Sequence, residues 1–279
     1  MLNRQASRCH CIWLVAAGIL IPGPMVTQAN AEDLDLDTPS FEAPFIPDVD
    51  ILDPNFGLLS FVNPDLSSTG WVQTGADAGT FLSDTGVFIN QTVPGFSSAI
   101  AGVDGRQLAF MQVDPLADGS TPARDFNSIY QQSTDVFEAG KDYTFTLEVG
   151  NQGDPVIGDT VGLKIAIGYL DTSGGQTGSG VFQVINERRI VASQLDNSGS
   201  TLLNDFSVDV LSSELSPSLL DERIAVQVLV DVPTDLGGVD PGDLGGGFNV
   251  DNARLTAVPE PASAGLLVLG GLLIARRRR

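Results

Sequence analysis

Carboxylates dominate the chemistry open to this chain: 35 Asp and Glu stand against 14 Lys and Arg, with a single His and two Cys. The Cys and His sit together as Cys9-His10-Cys11, in a segment that reads as an export leader. Arg4 and Arg8 precede an apolar core from Ile12 to Ile21, and Ala29-Asn30-Ala31 fits the small-x-small cleavage pattern of a secretory signal peptide, residues 1–31. A cut after Ala31 leaves a body with neither thiol nor imidazole. Disulfides, thiol nucleophiles, Cys/His zinc sites and histidine-based acid/base triads are thereby excluded from the exported part. Two kinds of carboxylate chemistry remain. Paired acids about 5 to 10 Å apart hydrolyse glycosides, and clustered acids bind hard cations such as Ca²⁺. The body holds 34 acidic residues, so some pair meets the hydrolytic spacing by chance. No Gly-x-Ser-x-Gly, P-loop or zinc-helix motif accompanies it. The expectation is a non-catalytic protein, with a glycoside-acting enzyme as the lesser alternative.

Sugar binding asks for an aromatic face against the ring's C–H surface and polar groups for its hydroxyls. Trp71 is the sole tryptophan of the exported body, and Tyr169 closes a stretch of alternating apolar residues; both are candidate ligand contacts. Tyr130 and Phe126 are further aromatics, and Gln73, Gln131, Gln132 and Asn151 are the nearby amides. The alternative for Trp71 is a core anchor. Asp235, Asp240 and Asp243 form a weaker acidic group whose spacing does not match an EF-hand.

The elements that must position these groups have a period of two. Val161, Leu163, Ile165, Ile167 and Tyr169 alternate with Gly162, Lys164, Ala166 and Gly168, and Tyr143, Phe145, Leu147 and Val149 alternate with Thr144, Thr146 and Glu148. Ile224 to Val230 and Phe206 to Val210 repeat the pattern. Gly86–Thr92, Gln107–Val113, Ser128–Thr134, Gly180–Asn186 and Phe248–Thr256 are less regular strands. Nine or so short strands between Gly, Pro, Asp and Ser clusters predict an all-β antiparallel sandwich over residues 32–257. Ser173-Gly174-Gly175-Gln176 reads as a hairpin connection. Leu211 to Leu220 has room for one helical turn, limited by Pro217. Thr38 to Ser67, with five prolines, reads as an extended segment wrapping the surface. Asp235 to Gly247, with six glycines and three aspartates, reads as a long loop.

Six of the cationic residues lie in the two ends of the chain, leaving 8 against 34 acids in the body, a formal charge of −26. Such a surface repels nucleic acid and anionic lipid and attracts divalent cations. At the C-terminus, Val258-Pro259-Glu260-Pro261 leads into an apolar run from Ala262 to Ala275 and then Arg276, Arg277, Arg278 and Arg279. The run has 14 residues, against roughly 20 for a full helical crossing, and the arginines belong on the cytoplasmic side. Residues 258–279 resemble the PEP-CTERM sorting signal of Gram-negative bacteria. The resemblance implies a short C-terminal apolar helix held transiently in the inner membrane, an exosortase-type processing enzyme as partner, and delivery to the cell surface or extracellular matrix.

A second resemblance covers the body. Ser40-Phe41-Glu42-Ala43-Pro44, Gly70-Trp71, Asp104 to Ala109, Tyr130-Gln131-Gln132, Ala139 to Leu147 and Phe248 to Leu255 occur in the order found in galactose-binding-like jelly rolls, akin to carbohydrate-binding modules. That resemblance implies a jelly-roll β-sandwich associating with extracellular polysaccharide. It also implies a structural calcium tying the N-terminal segment to the closing strand, with Glu42 and Asp251 at the matching positions. The alternative for Glu42 is a turn acceptor, and for Asp251 a bulge cap. A structural adhesin or matrix component with no sugar site is the alternative function.

Overall fold

The computed structural model describes residues 31–36, 41, 52–53, 57–58, 61–62, 70–75, 85–89, 101, 103–105, 107–113, 127–151, 159–173, 180–195, 202–231 and 246–260. Fourteen strands lie among them: β1 (Glu32–Leu34), β2 (Leu52–Asp53), β3 (Gly57–Leu58), β4 (Phe61–Val62), β5 (Val72–Gly75), β6 (Thr85–Ile89), β7 (Gln107–Val113), β8 (Asn127–Val136), β9 (Lys141–Asn151), β10 (Gly162–Asp171), β11 (Val181–Val191), β12 (Asn204–Val210), β13 (Arg223–Asp231) and β14 (Gly246–Pro259). All strand pairings are antiparallel.

Two sheets form the sandwich of an all-β jelly roll. One is seven-stranded in the order β12-β9-β14-β7-β6-β4, with β1 on β14; the other is five-stranded in the order β11-β10-β13-β8-β5. Alternation along each strand decides which residues meet between them. Tyr143, Phe145, Leu147 and Val149 of β9 are buried, whereas Thr144, Thr146 and Glu148 are not. Within the five-stranded sheet, Leu163, Ile165 and Ile167 of β10 pair with Val230, Val228 and Val226 of the neighbouring β13. These residues belong to one continuous core, and burying each large apolar side chain contributes roughly 1.5–3 kcal/mol.

The corner from β8 to β9 turns on Gly140, whose φ of +76° is a left-handed conformation that glycine adopts without a Cβ penalty. The Phe137 ring meets the Tyr143 ring edge-on at 5.2 Å, and the Glu138 N–H donates to Tyr143 Oη at 2.7 Å. The edge strands β11 and β12 of the two sheets are joined by side chains. Asn186 Nδ2 donates to Asp209 O at 2.7 Å, Arg188 to Ser207 O at 3.1 Å, and the Arg188 guanidinium lies 5.1 Å from the Phe206 ring centre. Carbonyls that would otherwise template an added strand are thus occupied.

Several sequence expectations change in detail. Leu211–Leu220 contains two 3₁₀ turns, Ser212–Glu214 and Pro217–Leu219, and Pro217 starts the second. Its missing N–H costs nothing at a first helical position. Most of the Thr38–Ser67 stretch lies outside the described residues; within it, β4 extends the seven-stranded sheet by pairing Phe61 and Val62 with Phe88 and Val87, and Phe41 is buried in the core. β10 and β11 pair antiparallel, and Gly174, Gly175 and Gln176 of the expected connection between them lie outside the described residues. The leader, most of the Asp/Gly loop at 235–247 and the apolar run 262–275 lie outside the described residues.

Candidate functional site

The carboxylates come together on the outer face of the seven-stranded sheet. Asp251 of β14 is registered directly opposite Glu148 of β9. Just beyond it, β14 gains one residue relative to β9, the register passing from Asp251/Glu148 to Arg254/Thr146. Asn252 absorbs this bulge with a φ of +50°, a conformation Asn tolerates better than most residues. Its amide then donates to Glu148 Oε1 at 3.0 Å. Residues 103–105 come near the pair on this face: the Asp104 N–H donates to Asp251 Oδ2 at 2.7 Å.

Asp251 is fully buried. Burial pushes its pKa up to about 7, the charges of Glu148 and Asp104 adding to the rise while the main-chain N–H groups of Asp104 and Asn252 oppose it. Three acceptors in this region are buried without a hydrogen-bond partner: Asp251 Oδ1, Glu148 Oε2 and Asn249 Oδ1. Asn249 lies two residues before Asp251 on the same strand face and is 2% exposed. Among the described residues neither carboxylate forms an ion pair with Lys or Arg. No three Asp, Glu, His or Cys side chains form a metal-holding group among the described residues, so any cation here would rest on two carboxylates and other oxygens. Glu42, expected as the partner of Asp251, lies outside the described residues. Sequence reasoning missed Glu148 and Asn249.

Trp71 is not a surface platform. It is fully buried, and its ring stacks on that of Phe41 at 5.3 Å between centroids. Phe41 holds a φ of +54°, and its carbonyl accepts a hydrogen bond from the buried Gln107 amide at 3.1 Å. A ring with no exposed surface offers nothing to a sugar, so the expectation of ligand contact at Trp71 is corrected to that of a core anchor. Tyr130, Gln131 and Asn151 are buried as well, and Phe126 lies outside the described residues. Tyr169 differs. It is half-buried, packs one side against the core, and stands opposite the half-buried Gln183 of β11.

β14 carries the start of the terminal motif into the sheet. Val258 and Pro259 pair with Asp142 and Lys141, the Glu260 N–H donates to Gly140 O at 2.8 Å, and Ser212 Oγ donates to the Glu260 carboxylate. Pro261 and Arg276 to Arg279 lie outside the described residues. No described helix is long and apolar enough to cross a membrane.

No protein-family model matches the chain and no curated protein matches it. Among solved structures it is similar to the apo form of a cyclase from Fischerella sp., at 18% identity and a TM-score of 0.55, covering 82% of this chain and 98% of that one. A cyclase from Fischerella sp. TAU in complex with 4-(1H-indol-3-yl)butan-2-one gives 16% identity and a TM-score of 0.53, over 82% and 98%. The CBM22-1 xylan-binding domain of Paenibacillus barcinonensis Xyn10C is a more distant neighbour, at 12% identity and a TM-score of 0.35, over 69% and 88%. At these identities the likeness is one of fold.

Proposed function

We propose that this is an exported, non-catalytic β-sandwich that associates with extracellular polysaccharide through Tyr169. The carrying observation is the Tyr169–Gln183 pair. An aromatic ring locked on one side by core packing sits beside an amide that can bond sugar hydroxyls, and both remain partly accessible. A fixed ring loses little conformational freedom on binding. Delivery rests on the leader at 1–31 and on the tail at 258–279. The tail would be handled by an exosortase-type enzyme while its apolar run sits in the inner membrane of a Gram-negative bacterium, releasing the body to the cell surface or matrix. The body's charge of −26 argues against nucleic acid as a partner.

A specific observation favours the second reading, a structural adhesin or matrix component without a sugar site. The large hydrophobic side chains exposed among the described residues are Val72, Val181, Val184, Leu202 and Leu211, none of them aromatic. The two readings separate in binding assays of the purified protein against a panel of bacterial exopolysaccharides. Saturable, selective binding that is lost in a folded Tyr169→Ala variant supports the lectin-like reading. Absence of binding to every polysaccharide supports the structural one.

A further inference from the structure

We propose that the end of the sandwich carrying Gly140, Ser212 and Glu260 is a docking surface for a zwitterionic phospholipid bilayer, on which the body sits without a linker while the apolar run 262–275 is inserted. The inference deepens the delivery reading above and rests on it. β14 stays part of the sheet to its last residues. Pro259 is registered opposite Lys141, the Glu260 N–H donates to Gly140 O at 2.8 Å, and the Glu260 carboxylate accepts from Ser212 Oγ. Only Pro261 then separates Glu260 from the start of the apolar run at Ala262. Two residues span at most about 7 Å, and the headgroup zone on each side of the hydrocarbon is roughly 5–7 Å deep. A docked Glu260 therefore lies at the headgroups whenever Ala262 is at the hydrocarbon edge.

The length of the run forces Ala262 to that edge. Its 14 residues would make a helix of about 21 Å, against about 30 Å of hydrocarbon. No apolar residue is spare to serve as a stalk, and Arg276 to Arg279 belong at the far side. The surface at this end of the body suits a headgroup zone. It is built from the exposed Ala139-Gly140 corner and from Leu211–Leu220, which connects β12 to β13. Leu211 is 47% exposed, and Leu219 and Leu220 are half-buried. Residues 211–220 hold four serines and a single charged residue, Glu214, whose carboxylate accepts from the Leu211 N–H. Apolar side chains beside hydroxyls match the boundary between headgroups and acyl chains. The Lys141 ammonium is held by Glu32 and Glu138, and Asp142, Asp221 and Glu222 adjoin the same end. Anionic headgroups would meet these acids unfavourably, so the fitting surface is zwitterionic.

The described fold contains no residue before Ala31, so the test uses the leader-free chain, Glu32 to Arg279, which has no cysteine. It is reconstituted in phosphatidylcholine vesicles with and without nitroxide-bearing headgroups. A fluorophore is attached at Ser213→Cys and, in a second protein, at Leu202→Cys, an exposed position just before the opposite end of β12. Flotation with the vesicles reads insertion of the tail separately. The nitroxide lipid is expected to quench the fluorophore at 213 and to leave the one at 202 unaltered. A Gly/Ser spacer of about 20 residues between Glu260 and Pro261, reaching roughly 25 Å, is expected to keep flotation and abolish the quenching. Flotation with no quenching at 213, or with equal quenching at both positions, would overturn the seating and leave tail insertion standing. Quenching at 213 that survives the spacer would overturn it too, because the body would then bind lipid without the docked Glu260. A chain that does not float would overturn tail insertion and the seating together.

Discussion

The Trp71 ring lies stacked on the Phe41 ring, 24° from parallel, and both side chains are fully buried. Phe41 comes from a segment rich in proline and Trp71 from the residue before β5, so the contact fastens the N-terminal segment to the five-stranded sheet. Trp71→Ala removes a large buried ring that its neighbours refill only in part, at a cost of about 3–5 kcal/mol. Urea unfolding should show a lower midpoint with little change in slope. Trp71→Phe should recover part of the loss and leave polysaccharide binding unaltered. A binding defect in a stable Trp71→Phe protein would show that the ring reaches ligand after all.

Asp251 makes a signed prediction for the metal-free protein. Its folded pKa of about 7 lies above the ordinary aspartate value, so between about pH 4 and pH 7 the folded state keeps a proton that the unfolded chain releases. Stability from this group is greatest below the unfolded pKa, falls as pH rises toward 7, and is level above it. The three-unit rise sets an upper limit of about 4 kcal/mol. Asp251→Asn has no such proton, so the stability difference between variant and wild type in chelator should grow in the variant's favour from pH 4 to 7. A difference independent of pH would remove the burial argument.

The fold was legible wherever a strand is long and half-buried. β9, β10, β12 and β13 each show a large residue at every second position, because one face must meet the opposite sheet. β1 to β5 were not legible: they are two to four residues long, and their pairing is imposed by neighbours already in place. The same limit applies at the site. Asp251 stood out through its motif. Glu148 looked like any solvent-facing residue of an alternating strand, and only the register between β9 and β14 sets it against a second carboxylate. The aromatic character of Trp71 was plain, but its burial depends on Phe41, thirty residues away in sequence, adopting a left-handed backbone.

Gly168 supports the proposed ligand platform from beneath. β11 carries one extra residue between its pairings with Ile167 and Gly168, and this bulge brings its backbone close to β10. A Cβ at 168 would collide with the Gln183 carbonyl oxygen and lie 3.0 Å from the Phe182 ring. A main-chain oxygen cannot rotate aside as a flexible side chain does, so Gly168→Ala must push the two strands apart. The expected cost is about 2–3 kcal/mol, at the upper end of overpacking substitutions. The displacement falls on Gln183, the residue opposite Tyr169, so polysaccharide binding should weaken even at temperatures where the variant is fully folded. Gly162→Ala is the control. Its added methyl meets the Arg189 side chain instead, with the guanidinium Nε at 2.7 Å, and a flexible side chain can yield. Denaturation midpoints and binding isotherms of the two variants decide the matter: equal stability losses, or a Gly168→Ala protein that binds normally, would dissociate the bulge from the Tyr169–Gln183 pair.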